Sequence, residues 1–435
     1  MNKCILIVAL ALLTGACTKE ENPLASLPNM SAVRANLAFT CVHEADHLPP
    51  LDPEVDQLFQ YGRYLQKKEG PKNFNEVARY YRIATAHGHY KANSNLQGLV
   101  SQGIAESPDA PKETIDLAAQ LVNQGIPGGY YDIGHYLELG YGLKQDAEMA
   151  LRYIRKAADL GNPDAQYYVG KLLAPIGNAP EIARQMRQCA ADQGHGEAAV
   201  ELGIDLKSDK LYSEAAKAFQ QAAAAGETQG AFALQLGFSW EREDTHLSDI
   251  GVAKDPERSR RYKLIGDFID RNAGRNPKVA DIDKIVPLPP AKLPPWDGTF
   301  QWEKNQAAAV PPQKPSDELI ERLSKAKHLD PATGLPLAKS EQVAQTETEP
   351  TPQPTRLPLG TIARTGESCP QDGVWCVSLA KGVVADAERS FLKGMELPML
   401  TVYQPRKFAW MDDWLGVRRQ TVQATWKLVG YLDEA

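Results

Sequence analysis

The chain has 435 residues, with 48 Lys and Arg against 55 Asp and Glu, a formal net charge of -7. That balance argues against a nucleic-acid or anionic-lipid footprint and suits a body that meets a basic partner. With 43% hydrophobic residues the chain buries a substantial core, yet it is too long for one compact domain, so two folded parts joined by linkers are expected.

The N-terminus reads as an address. Met1-Asn2-Lys3 is a short basic start, Ile5 to Leu13 is an unbroken apolar run too short for a permanent span, and Leu13-Thr14-Gly15-Ala16-Cys17 resembles a bacterial lipobox. Residues 1–16 are therefore expected to be a signal peptide and Cys17 the lipidated first residue of a 17–35 tether, with an ordinary signal peptide as the alternative. This places the mature protein on the periplasmic side of the envelope, held by a lipid anchor. Its remaining cysteines, Cys41, Cys189, Cys369 and Cys376, are an even set in an oxidising compartment.

His43-Glu44-Ala45-Asp46-His47 has the form H-E-x-x-H, which on a continuous helix puts two imidazoles on one face as zinc ligands with the glutamate as base. Pro49 and Pro50 follow almost at once and Phe39 and Cys41 before it read as extended chain, so a coincidence is favoured and no metal or cofactor is expected; a metal-dependent hydrolase on His43, Glu44 and His47 is the remote alternative.

An alanine-glycine punctuation follows. Ala157-Ala158-Asp159-Leu160-Gly161-Asn162-Pro163-Asp164-Ala165 and Ala190-Ala191-Asp192-Gln193-Gly194-His195-Gly196-Glu197-Ala198 are the clearest copies, Ala222 to Gly226 is a weaker one, and Gly88 and Gly125 mark degenerate ones. A return every 32 to 37 residues signals a helical solenoid. The spacing predicts a helix over Glu148 to Leu160 with Ala150, Leu151, Ile154, Ala157 and Ala158 as its apolar stripe. Gly161 supplies a left-handed cap, and Asn162-Pro163-Asp164 restarts a helix carrying Tyr167, Tyr168, Gly170, Leu172 and Leu173. His89-Tyr90-Lys91 matches the H-x-K opening of phospholipase D motifs, but Leu96 stands where an aspartate is needed, so a capped helix end is expected instead. Asp255-Pro256 is expected to start a helix in the same way.

Gly134-His135-Tyr136, Gly140-Tyr141-Gly142-Leu143-Lys144-Gln145-Asp146 and Lys156-Ala157-Ala158 together resemble the unit of the Sel1-like repeats, a tetratricopeptide-type family. The stretch from Phe39 to Phe300, through Phe39-Thr40-Cys41-Val42-His43-Glu44, Gly88-His89-Tyr90-Lys91-Ala92-Asn93 and Ile285-Val286-Pro287-Leu288-Pro289-Pro290, is similar to a subgroup of bacterial lipoproteins that act as immunity proteins of type VI secretion phospholipase D effectors. The resemblance implies a mainly α, right-handed solenoid of helix pairs over residues 36–273. It also implies a non-enzymatic role: binding a cognate secreted toxin, of the phospholipase D type, and blocking it sterically. An envelope scaffold or adaptor is the alternative, separable by whether a toxin gene lies alongside.

Residues 274–356 are dense in proline and read as a strap and linker without a helical core, with Trp296, Phe300 and Trp302 packing the strap onto the solenoid. Residues 357–435 form a small, mostly β module with strands over Val374 to Leu379 and Thr421 to Val429. Within it an Asp372-Gly373 turn brings Cys369 and Cys376 together as a disulfide or leaves two buried thiols; pairing of Cys41 with Cys189 is the other bridge considered. Tyr130, Tyr131, Trp410 and Trp414 are singled out for partner contact, against plain packing within the solenoid or module.

Overall fold

The computed structural model describes residues 37–175, 179–241, 249–337, 356–379, 383, 385, 387–391, 393–404 and 418–431. A lone helix, α1 (Pro53–Lys67), opens the array. Five helix pairs follow: α2 (Phe74–Ala86) with α3 (Tyr90–Ser101), α4 (Ala110–Asn123) with α5 (Pro127–Leu139), α6 (Ala147–Asp159) with α7 (Pro163–Leu173), α8 (Pro180–Asp192) with α9 (Gly196–Ser208), and α10 (Tyr212–Ala224) with α11 (Thr228–Gly237). The long helix α12 (Pro256–Arg271) ends the array, and each helix packs on its sequence neighbours as an α-solenoid requires.

The punctuation glycines make the turns inside these pairs. Gly88, Gly125, Gly161, Gly194 and Gly226 all sit at positive φ, a backbone region that disfavours any side chain. Around each, the amide after the glycine reaches back to a carbonyl of the first helix, as in His89 to Ala84, Ile126 to Leu121, Asn162 to Ala157, His195 to Ala190 and Glu227 to Ala222. Asn162 then caps α7 by accepting the Ala165 amide, and His89 and His195 do the same for α3 and α9 through Nδ1. His89 is thus a buried helix cap whose Nε2 lies 3.0 Å from Asp56, as the failed phospholipase D match implied. Asp255 caps α12 through the Glu257 and Arg258 amides. In α6 the buried stripe is Met149, Ala150, Tyr153, Ile154, Ala157 and Ala158, while Leu151, expected inside, is 47% exposed. Leu172 of α7 is likewise on the outside.

The proline-rich segment folds more than expected. Short helices α13 (Ile282–Ile285) and α14 (Gln301–Ala308) lie along it, and Phe300 stacks on Phe268 of α12 at 4.0 Å with Trp296 and Trp302 alongside. The segment then travels to the opposite end of the array. There α15 (Asp317–Ala326), capped by Ser316, buries Ile320 and Leu323 among Val77, Tyr80 and Leu96 of the first helices. This corrects the expectation of a linker without core helix: no proline falls between Pro315 and Pro331, and the eleven residues after Pro315 are a capped amphipathic helix. Arg79 Nε donates to Pro331 O at 2.5 Å, and Arg82 pairs with Glu113 while also donating to Thr333 O, which fixes the strap's end to α2.

The C-terminal module is β-rich. Strands β1 (Ile362–Arg364), β2 (Gly373–Val377), β3 (Glu388–Phe391) and β6 (Thr425–Gly430) form an antiparallel sheet in the order β1-β6-β2-β3, and β4 (Leu400–Gln404) pairs with β5 (Arg418–Val422). Thr421 to Val429 is split in two rather than continuous, because Thr365 bonds both the amide and the carbonyl of Ala424 and turns the chain there. Trp375, Phe391 and Trp426 fill the module's interior, which is continuous with Ile115, Val122, Leu137 and Tyr153 of α4 to α6. Arg389, almost fully buried, meets Asp146 at 3.5 Å and Glu148 at 3.2 Å across the junction.

Candidate functional site

Three strands of chemistry were expected from the residues: a metal motif at His43, two disulfides, and a partner-binding surface. The first dissolves in the geometry. Only Glu44–His47 is helical, as a single 3-10 turn, and His43 lies before it in extended backbone. At three residues per turn, positions four apart point about 120° from each other, so His43 and His47 share no face. The Glu44 carboxylate instead accepts the Asn162 side-chain amide at 3.0 Å, while its own amide donates to Gln193 Oε1 at 2.8 Å. Burial raises the Glu44 pKa, opposed by the Asn162 hydrogen bond and assisted by Asp164.

Glu44 belongs to a segment, residues 37–48, that lies along the turns of the solenoid. Leu37 is buried against α6 to α8, Val42 O accepts the Gln166 amide at 2.9 Å, and the backbone of His43 and Glu44 presses on Gly161, where a Cβ would stand 2.6 Å away. The segment is bolted by a Cys41–Cys189 disulfide, with Cα atoms 5.6 Å apart and a sequence separation of 148. Cys41, His43 and Cys189 hold three donor atoms within 4.8 Å, but both sulfurs are used by the disulfide and are not free to ligate. Cys369 and Cys376 are free, which takes the second of the two alternatives for them, unpaired thiols, with Cys369 buried and Cys376 half-buried. Asp372-Gly373 leads into β2 rather than folding it back: Cys376 faces Glu388 and Lys427 on the neighbouring strands, and the Cys369 amide bonds Met395 O. Cys369 is buried with Trp375, whereas Cys376, next along the strand, points to the other side of the sheet; burial pushes the Cys369 thiol up to about 12.

The partner surface takes shape on the second helices of the pairs. An open groove of ≈ 580 Å³ runs over α5, α7 and α9 to the start of α11. An aromatic ladder lines it: Tyr131 meets His135 edge-on at 4.5 Å, His135 meets Tyr168 at 5.6 Å, and Tyr167 lies 4.7 Å from His195. Hydroxyls are aimed by carboxylates, Tyr167 to Glu201 at 2.9 Å and Tyr168 to Glu138 at 2.7 Å. Asp164, Glu197 and Glu227 add three carboxylates to the lining, with Lys171 as its one lysine and Leu172 beside it. Gly196 leaves room for Glu227, whose Cγ would lie 2.3 Å from an added Cβ. At the groove's end Asp132 is desolvated and stands near Asp164 and Glu44, so its pKa rises to about 7 despite a hydrogen bond from Gln97.

Of the aromatics singled out in the sequence, Tyr131 lines this groove and Tyr130 is turned toward Tyr153 in the solenoid interior, 6.4 Å away. Trp410, Trp414 and Cys17, the expected lipidation site, lie outside the described residues. The acids of the groove were not anticipated. Their signal was present: α5, α7, α9 and α11 carry six carboxylates against two lysines, whereas their partners α4, α6, α8 and α10 carry seven against seven basic residues.

Residues 230–337 match a family model described as a domain of unknown function, DUF6396. No curated protein matches the chain significantly. Among solved structures, the immunity protein PA5088 of Pseudomonas aeruginosa is 28% identical over 58% of this chain and 94% of its own, with a TM-score of 0.47. PA5086 of the same organism is 29% identical over 58% and 95%, with a TM-score of 0.46. The immunity protein Pa5087 of that organism is 30% identical over 58% of this chain and 95% of its own, with a TM-score of 0.46. On that identity, spread over nearly the whole of Pa5087, and on the repeat turns described above, this chain belongs to the same family of Sel1-like repeat proteins.

Proposed function

We propose that this protein is an immunity protein, a lipid-anchored, periplasm-facing guard that binds a secreted antibacterial toxin and covers the surface the toxin needs. The observation that carries the reading is the 30% identity to a solved immunity protein across 95% of that protein. The groove supports it: its polar groups are committed to holding tyrosines and backbone in place, and its carboxylates sit on a rigid ladder of helices, an arrangement that suits recognition by shape and charge. The toxin is taken to be of the phospholipase D type and delivered by a type VI system, by the resemblance of the sequence, and inhibition is stoichiometric.

Co-expression tests it directly. The toxin encoded beside this gene, directed to the periplasm, should kill cells lacking this protein and spare cells that carry it. Cys17→Ala should abolish palmitate labelling. Killing that proceeds unchanged with the protein abundant in the periplasm would defeat the proposal.

A further inference from the structure

The groove carries three carboxylates against one lysine, Lys171, an excess of acid that the first helices of the pairs do not share. Its second helices carry the excess acid, and two further acids on the same helices, Glu201 and Asp205, are already neutralised by Arg187 of α8. Asp164, Glu197 and Glu227 are different. Among the described residues none of them pairs with a lysine or arginine, and Asp164 has only the His195 imidazole at 3.3 Å. Asp164 keeps 58% of its side chain in water, so its charge is available.

The carboxylates alternate with tyrosine faces. Tyr167 and Tyr168 line the groove together with Asp164 and Glu197, giving a cation both a counter-charge and an aromatic face to lie on. The rise in the Asp132 pKa at the groove's end, driven by burial and by Asp164 and Glu44, is what an unmet negative potential does to a neighbouring carboxyl.

We propose that the groove over α5, α7 and α9 receives a cationic protein segment, an exposed loop or helix bearing arginines, which seats guanidinium groups between Asp164, Glu197 and Glu227. The proposal deepens the immunity reading and rests on it only for the identity of the partner. Arginine suits the site better than lysine because its planar head stacks on tyrosine while donating to a carboxylate in the same plane.

The test uses the full chain in detergent and a short labelled peptide of alternating arginine and alanine, with a lysine analogue and a glutamate analogue as controls. The triple variant Asp164→Asn, Glu197→Gln, Glu227→Gln should weaken arginine-peptide binding by about tenfold or more and flatten its salt dependence. Neutralising the same number of acids on the first helices, Asp159→Asn, Asp192→Asn and Glu214→Gln, should change it by less than about twofold. Equal losses in the two triples, or tight binding that survives the groove triple, would overturn the proposal. Toxin neutralisation read on the same variants separates the two claims. Protection retained by the groove triple removes the groove and leaves the immunity reading standing; a groove that binds arginine in a protein that never protects does the reverse.

Discussion

Breaking the Cys41–Cys189 bond should cost the protein several kilocalories without dislodging the segment it holds. The bond closes a loop whose ends are separated by 148 in sequence. Chain-entropy reasoning gives about 5 kcal/mol for a loop of that length at 25 °C, as an upper limit. The per-residue unfolding entropy of globular chains converts this to a fall in Tm on the order of 7 °C for a chain of this size. The segment keeps its non-covalent holds, Leu37 in its pocket, Val42 O on Gln166 and Glu44 on Asn162, so the reduced protein should remain native below the transition. Cys41 is exposed, which gives a reductant access. The assay is thermal unfolding with and without dithiol, repeated on Cys41→Ser/Cys189→Ala, with hydrogen exchange to locate the loss. Since repeat arrays stabilise neighbour by neighbour, faster exchange should be confined to α1 to α8 and spare α10 to α12. A Tm within about 1 °C of the oxidised value, with both thiols titratable, would show that the loop contributes no constraint and refute the reasoning.

Other outcomes follow from single positions. Gly161→Ala must place a Cβ at φ +102 and 2.6 Å from the His43–Glu44 backbone, so urea unfolding should show a loss of about 2–4 kcal/mol. Gly194→Ala, with φ +86 and nothing within 4 Å, should lose only about 1 kcal/mol, and equal losses would mean the N-terminal segment does not press on the turn. Asp132 has a folded pKa of about 7, above its ordinary 3.8, so its favourable contribution is complete below pH about 3.8 and disappears as pH rises through 7. Asp132→Asn should therefore raise Tm most at pH 8, less at pH 5, and make little difference only near pH 3.8; a variant less stable than the parent at pH 8 would contradict the shift. Arg389→Ala leaves Asp146 without its cation at the module junction and Glu148 with Arg152 alone, and should cost about 3 kcal/mol, visible as earlier proteolytic release of residues 357–435. Phe300→Ala removes a ring stacked at 4.0 Å on Phe268 and should lower stability by about 3–5 kcal/mol in urea titrations.

Local rules made the solenoid readable. Each of the five punctuation glycines takes a positive φ because a helix must end and restart within three residues there, and that demand is written in the chain itself. The aromatic anchors of the strap were readable for a similar reason: large apolar rings in a polar, proline-rich stretch have no other place to go. What depended on distant partners was not. Leu151 has the right spacing for a core residue but falls at the margin of its stripe, beside the fully buried Tyr153 and Ile154. The helix Asp317–Ala326 was hidden by the proline composition around it, although its own capped, amphipathic pattern is clear. The cysteines show the limit most plainly, because the two close in sequence lie on opposite sides of one sheet while the two far apart in sequence meet. The groove acids escaped notice because no one residue marks them; the pattern emerges only when alternate helices are counted separately.

The strap has a mechanical meaning. A string of repeats ordinarily behaves like a spring, fraying at both tips and flexing between them. Here one polypeptide leaves the last helices at Phe300 and clasps the first ones at Ile320, and the residues between can reach at most about 45 Å, with α14 and the first turn of α15 rising along their axes and the rest extended. The two tips are thereby leashed to one another, and the arc between them holds a set curvature before any visitor arrives. Such a frame spends little entropy on closing around its guest, so the burden of adjusting shape falls on the guest.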